Sequence, residues 1–210
     1  MPIITFNEDD TESTDEISVP SELLLLPLRN TVLFPGVVLP ITVGRDRSIK
    51  AVNDVYKTDK LVGVIAQKDS AVEEPTINDL ENTGTVAKII KLIKMPDGGT
   101  TIIIQGRKRF AIEKIVDPYF KATIQLLEED KVSIDDDQHF AATVSSIKDL
   151  AAQIILLSPN MPSEASVILK NIENPSFLIH FVSSNLNSDL KQKQQLLEIS
   201  NIKARAELLM

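Results

Sequence analysis

The chain of 210 residues has no cysteine, no tryptophan, only 4% aromatic residues and no glycine beyond Gly106. Lack of cysteine excludes disulfides, thiolate metal ligands and cysteine nucleophiles. Scarce aromatics leave few platforms on which single-stranded nucleic acid could stack. No Gly-x-x-x-x-Gly-Lys-Ser/Thr loop, Gly-x-Gly-x-x-Gly turn or Gly-x-Ser-x-Gly elbow occurs, and Gly98-Gly99 is the only close glycine pair. Phosphate cradles and serine-nucleophile turns need such spacings, so neither is expected. No apolar run exceeds Leu23–Leu26 in length, against the ~20 residues that span a bilayer. No basic residue precedes Arg29, so the N-terminus has neither a secretory nor a mitochondrial signature. The expectation is a soluble, cytoplasmic chain that contacts no membrane.

What is present is unevenly distributed. Residues 1–20 carry six acids and no base, and the net charge of the whole chain is −8. An acidic chain is a poor electrostatic partner for nucleic acid, so that class is disfavoured. All seven glycines fall between residues 36 and 106. Glycine serves turns and is costly inside helices, so a turn-rich β half is expected before a helical half. The segments are read as an acidic tail over 1–20, a β pseudo-barrel over 21–130 and a helical subdomain over 131–210.

Short apolar runs punctuated by proline and glycine predict strands at Leu23–Leu28, Val37–Val43, Leu61–Ala66, Thr85–Met95, Thr100–Gln105, Arg107–Val116 and Tyr119–Leu127. Asp97-Gly98, between two β-branched runs, is a hairpin signal, because both central residues of a type I′ turn need positive φ. Ile49, Val52 and Tyr56 form one stripe of a single inserted helix over Arg45–Lys57. Such short strands with one helix suggest a small, partly closed barrel.

Beyond the acidic stretch Glu128-Glu129-Asp130 and Asp135-Asp136-Asp137 the period becomes helical. Phe140, Val144, Ile147, Leu150 and Ile154 mark one face. Ser163 can cap a second helix, Asn174-Pro175 opens a third, Ser188 starts a fourth and Asn201 caps a fifth. The last helix meets no stop signal before Met210, so the polypeptide is expected to continue.

Candidate chemistry is thin. His139 and His180 fall on separate predicted helices, and Asp136, Asp137 and His139 sit in an acidic linker rather than at metal-ligand spacing. No metal site is expected, and His180 reads as a packing residue at the bundle edge. Clustered exposed acids read as solubility features rather than catalysts. Arg107-Lys108-Arg109 is the only basic cluster; it reads as a hairpin arm with alternate side chains outward, against phosphate contact as the functional reading. Apolar residues at predicted turns make a better case for binding: Phe34 and Pro35, Met95 and Pro96, Tyr119 and Phe120, and Met161. Exposed, they would offer a surface for extended peptides, although each could equally belong to the core.

A family resemblance runs through the same residues. Leu26-Pro27-Leu28-Arg29-Asn30-Thr31-Val32-Leu33-Phe34-Pro35-Gly36 resembles the opening of the N-terminal domain of Lon proteases. Val43-Gly44-Arg45-Asp46-Arg47-Ser48-Ile49-Lys50-Ala51, Ala66-Gln67-Lys68-Asp69, Gly84-Thr85-Val86-Ala87, Met95-Pro96-Asp97-Gly98 and Gly106 with Arg109 follow in that family's order. The likeness is close over residues 23–127 and holds in pattern through the helical half, notably Lys193–Glu198. It implies an α+β fold, a PUA-like β pseudo-barrel followed by an α-helical bundle. It also implies a non-catalytic part of an ATP-dependent serine protease, with no cofactor of its own and with ATP and Mg belonging to the parent chain. The implied partners are unfolded or damaged polypeptides, the rest of the chain and its homo-hexamer. Two other readings stay open: a stand-alone domain protein without an ATPase, and a weak nucleic-acid-binding PUA-like module.

Overall fold

The computed structural model describes residues 18–95, 99–117, 120–130, 132, 137–157 and 164–210. Six strands lie within residues 22–127: β1 (Glu22–Leu28), β2 (Val38–Val43), β3 (Leu61–Ala66), β4 (Thr83–Lys94), β5 (Thr100–Asp117) and β6 (Lys121–Leu127). Helix α1 (Asp46–Tyr56) is inserted between β2 and β3, and a 3-10 turn spans Ile77–Asp79. Five helices follow: α2 (Gln138–Leu157), α3 (Glu164–Asn171), α4 (Pro175–Asn185), α5 (Leu190–Glu198) and α6 (Ile202–Leu209).

The sheet order is β2-β5-β4-β3-β1-β6, and a further β5–β6 pairing closes β1, β3, β4, β5 and β6 into a ring. β1 and β3 run parallel and the other pairs antiparallel. Closure depends on the length of β5. Its first part pairs with β2, and its second part, from Arg109, pairs with β6. The sequence suggested two strands separated at Gly106; the observed strand is continuous. Gly106 instead permits a close approach. A Cβ there would meet the Phe34 carbonyl, and Gly36 N donates to Gly106 O at 2.9 Å while Gly106 N donates to Val37 O at 2.9 Å. The Phe34–Val37 turn is thus folded flat onto β5.

β4 and β5 meet at Lys94 and Thr100, with Met95 N donating to Gly99 O at 2.8 Å. The expected Asp97-Gly98 turn lies outside the described residues. Helix α1 buries Val52 and rests Ile49 and Tyr56 against the barrel core, as its stripe requires. Asn174 accepts from Phe177 N and Asn201 from Lys203 N and Ala204 N, the expected caps of α4 and α6. The cap of α5 is Asp189 rather than Ser188, because the carboxylate reaches Gln192 N at 2.7 Å.

Two of the three cores belong to one half each, and the third joins the halves. The barrel core that includes Leu26, Phe34, Val62 and Ile104 also contains Leu196 and Leu197 of α5. Gln194 Nε2 donates to Thr83 O at 3.0 Å, tying α5 to β4. A second barrel core gathers around Phe110 and Ile65, and the bundle core around Phe140, Leu169, Leu178 and Ile179.

Helix α2 departs from its expected face. Phe140, Val144 and Ile147 are buried, but Leu150 and Ile154 are exposed. Beyond Ile147 the inward stripe steps by four residues to Ala151 and Ile155, both packed on the bundle core. Both continuations suit a helical period; the smaller Ala151 faces the crowded interior. Among the described helices α2 alone is long and apolar enough to cross a membrane, with a mean hydropathy of 1.4. Three of its 20 residues, Phe140, Val144 and Ile147, are buried in the bundle core, and it carries Lys148 and Asp149 at mid-length.

Candidate functional site

The structure separates the residues that sequence grouped as one peptide surface. Phe34 is fully buried, so its expected role as an exposed contact is corrected: the turn that carries it is pressed onto β5 at Gly106, and its ring faces His180 at 6.1 Å between centroids. Pro35 is half-buried and Met95 is exposed. Phe120 has a φ of 64° and packs partly against the second barrel core. Pro96, Tyr119 and Met161 lie outside the described residues. Phe34, Met95 and Phe120 therefore do not form one patch.

A charged group that sequence did not single out joins the two halves. Arg109 of β5 and Arg205 of α6 are 1% and 0% exposed, and both reach Glu129, which follows β6. Glu129 Oε1 accepts from Arg205 Nη1 at 2.5 Å and from His180 Nε2 at 2.9 Å, with Arg109 Nε at 3.6 Å. Arg109 Nη1 also donates to the carbonyls of Leu197 (3.0 Å) and Ile199 (3.2 Å), and Arg205 Nη2 to Ile199 O. The two guanidiniums therefore neutralise one carboxylate and the C-terminal carbonyls of α5, the negative end of its dipole.

This arrangement corrects two readings. His180 is buried inside this network rather than at a bundle edge, and Arg109 points inward where an outward arm was expected. Burial, then the neighbouring guanidiniums, hold the His180 imidazole below its ordinary pKa, although its bond to Glu129 opposes this. Burial alone would raise the Glu129 carboxyl, but His180 and Arg205 outweigh it and hold the pKa down at about 2. Burial and then Arg205 lower Arg109 to about 10, so it remains charged at neutral pH. Strand alternation puts Arg109 on the face opposite Phe110, outside the barrel, and that face is buried only because the helical half packs over it. Nothing local distinguishes Glu129 from Glu128 or Asp130.

Among the described residues no cluster of three or more His, Asp and Glu side chains could hold a metal ion. Asp137 is instead engaged with Lys203 Nζ at 2.5 Å and with Phe140 N at 3.0 Å, capping α2.

Two surface features remain. One is the outer face of α2, where Leu150, Ile154 and Leu157 recur at four- and three-residue spacing and are 44%, 58% and 84% exposed. Leu156, on another side of α2, and Val167 of α3 are further exposed apolar residues. The other is an open cleft of about 470 Å³ between β1 and β2, continuous through Leu26, Gly44, Arg45 and Ser48 with a groove of about 950 Å³ beside α1 and Phe120.

Comparison with known proteins agrees with this architecture. The family described as the ATP-dependent protease La (LON) substrate-binding domain matches residues 22–210. The chain is 49% identical to a Lon protease of Flavobacterium johnsoniae over 208 residues, covering 98% of this chain and 25% of that protein. It is 44% identical to a Lon protease of Cytophaga hutchinsonii over 212 residues, covering 100% and 26%. The chain thus spans about a quarter of the length of these relatives. Among solved structures, the N-terminal domain of the Mycobacterium avium complex Lon protease superposes with a TM-score of 0.71 at 19% identity, covering 90% of this chain and 95% of that one. A Lon N-terminal domain protein from Xanthomonas campestris gives 0.62 at 19% identity, covering 90% and 97%. These structural likenesses are to the same α+β fold, strands first and helices after. A matching domain across residues 22–210, with sequence identity sustained over nearly the whole chain, places the protein in the family of the ATP-dependent protease La (LON) substrate-binding domain.

Proposed function

We propose that this chain captures unfolded or damaged polypeptides and presents them to ATPase and protease modules of a longer Lon-type polypeptide. The observation that carries the reading is the exposed stripe of Leu150, Ile154 and Leu157 on α2. Apolar groups aligned on one helix face and left in water favour contact with the apolar segments that a damaged protein exposes. The buried residues of α2 anchor that face to a rigid bundle. A single such stripe binds weakly, and weak capture permits release into a motor. Six copies in a homo-hexameric ring would raise avidity by roughly 10²–10⁴ without any new contact. A cytoplasmic setting and a role in protein quality control belong to the same proposal, as do ATP and Mg bound by the remainder of the parent.

The nucleic-acid alternative loses support from the burial of Arg109, which removes one of three clustered cations from the surface.

The test replaces Leu150, Ile154 and Leu157 together with serine. These positions are exposed, so stability should change little, within about 0.5 kcal/mol for each. Affinity for a permanently unfolded polypeptide, measured by fluorescence anisotropy, should fall about tenfold or more, since one well-covered aliphatic side chain contributes roughly 1.5–3 kcal/mol. Unchanged affinity in the folded triple variant would reject α2 as the contact.

A further inference from the structure

Among the described residues the barrel leaves two strand edges open on either side of one cleft. β6 flanks β1 only through Leu24, with Leu25 N donating to Phe120 O at 2.7 Å; past that point β1 pairs on its other side with β3. β2 pairs with β5 alone. The free edges of β1 and β2 bound the 470 Å³ cleft, whose lining includes Pro27, Arg29, Thr31, Pro40, Thr42 and Arg45. An open edge invites another strand. Pro27 and Pro40 each remove an N–H, so the edges are rich in carbonyl acceptors and poor in donors. That imbalance discourages regular pairing with a second copy's edge, yet leaves acceptors for the N–H groups of an extended chain.

Charge narrows the occupant. Arg29 and Arg45 line the same cleft, on a chain whose net charge is −8. Arg45 Nη2 donates to Gln67 Oε1 at 3.1 Å and Arg29 Nη2 to the Glu73 carbonyl at 3.0 Å, both neutral acceptors. Neither guanidinium forms an ion pair among the described residues. Burial, then the adjacent Arg29 charge, hold Arg45 below its ordinary pKa, with Glu74 opposing. Two neighbouring cations with no carboxylate at ion-pair distance among the described residues, Glu74 acting on Arg45 from farther off, form a site for one, since guanidinium–carboxylate bonds are among the stronger hydrogen bonds available.

We propose that this cleft holds an extended polypeptide segment bearing an acidic side chain, its carboxylate between Arg29 and Arg45. The proposal rests on the polypeptide-capture reading and adds to it the chemistry of the captured segment. Apolar side chains of the segment have the adjoining groove, where Leu25, Val55 and Phe120 contribute.

The test uses the 210-residue chain and two short, labelled, unstructured peptides of equal apolar content, one with a central Asp and one with Asn. At low salt the Asp peptide should bind about tenfold more tightly, and high salt should shrink that advantage. Arg29→Glu with Arg45→Glu should abolish the preference and favour a Lys peptide instead. The milder pair Arg29→Gln with Arg45→Gln should bring the Asp and Asn affinities together, with folding of each variant checked by circular dichroism. Serine substitutions on α2 should lower the affinity for both peptides and leave their ratio unchanged. Equal affinities in the unaltered chain would overturn this proposal alone, whereas failure of both peptides to bind would overturn it together with the capture reading. Tighter binding of an oligothymidylate, lost in the same arginine variants, would overturn it in favour of nucleic acid.

Discussion

Replacing Glu129 with alanine is expected to destabilise the chain by about 3–5 kcal/mol and to lower the thermal midpoint by roughly 10 °C. The reason is the asymmetry of buried charge. Arg109 and Arg205 are almost wholly enclosed and stay in place while Glu129 balances them. Removing the carboxylate leaves two guanidiniums in a low-dielectric junction, held by the carbonyls of Leu197, Ile199 and Glu128 with no carboxylate among the described residues in direct contact. The same network makes the fold acid-sensitive. A carboxyl held at about 2 when folded, against 4.5 for the free group, contributes stability that is complete above pH 4.5 and fades as pH falls toward 2. That contribution amounts to about 3 kcal/mol. His180 acts in the same direction. Its folded pKa is lowered, so the unfolded chain takes up a proton near pH 6.5 that the folded chain refuses, and stability declines below that pH. Thermal melts from pH 7 to pH 3 should therefore show a falling midpoint, with the slope between pH 5 and 3 much reduced in the Glu129→Ala chain. An alanine variant as stable as the parent, with an unchanged acid profile, would show that the junction does not depend on this group.

Phe34→Ala should also cost about 3–5 kcal/mol, through the cavity left by a fully buried aromatic ring. As a surface contact Phe34 would have tolerated truncation and lost binding; in the observed fold the order is reversed. Denaturant unfolding should detect the loss, and polypeptide affinity of the fraction that remains folded should change little. A stable variant with impaired binding would return Phe34 to the binding surface.

The contrast shows what could be read from residue order alone. Strand and helix positions followed from local grammar: glycine confined to residues 36–106, alternation in β6, the Asn174-Pro175 and Asn201 caps. What local grammar could not supply was which neighbour each element meets. Phe34 looks like an exposed turn residue until Gly106, far along the chain, is found beneath its backbone. Glu129 looks like one acid among three until His180 and Arg205 converge on it from α4 and α6. On α2, Leu150 and Ala151 both continue the helical period, and only the crowding of α3, α4 and α6 decides which turns inward. The candidate surface depended on that choice. Leu150 and Ile154 were visible as apolar residues, but their exposure was not. The cleft arises from strand order, since β1 and β2 become its walls only when β5 closes on β6.

The most direct examination of the central idea compares one small protein in two states, native and permanently unfolded by reduction and alkylation, as ligands for the 210-residue chain. Titration followed by anisotropy should show binding to the unfolded form and at least about tenfold weaker binding to the native form. Equal affinity for both states, or binding to the native form alone, would contradict a domain that recognises exposed apolar chain.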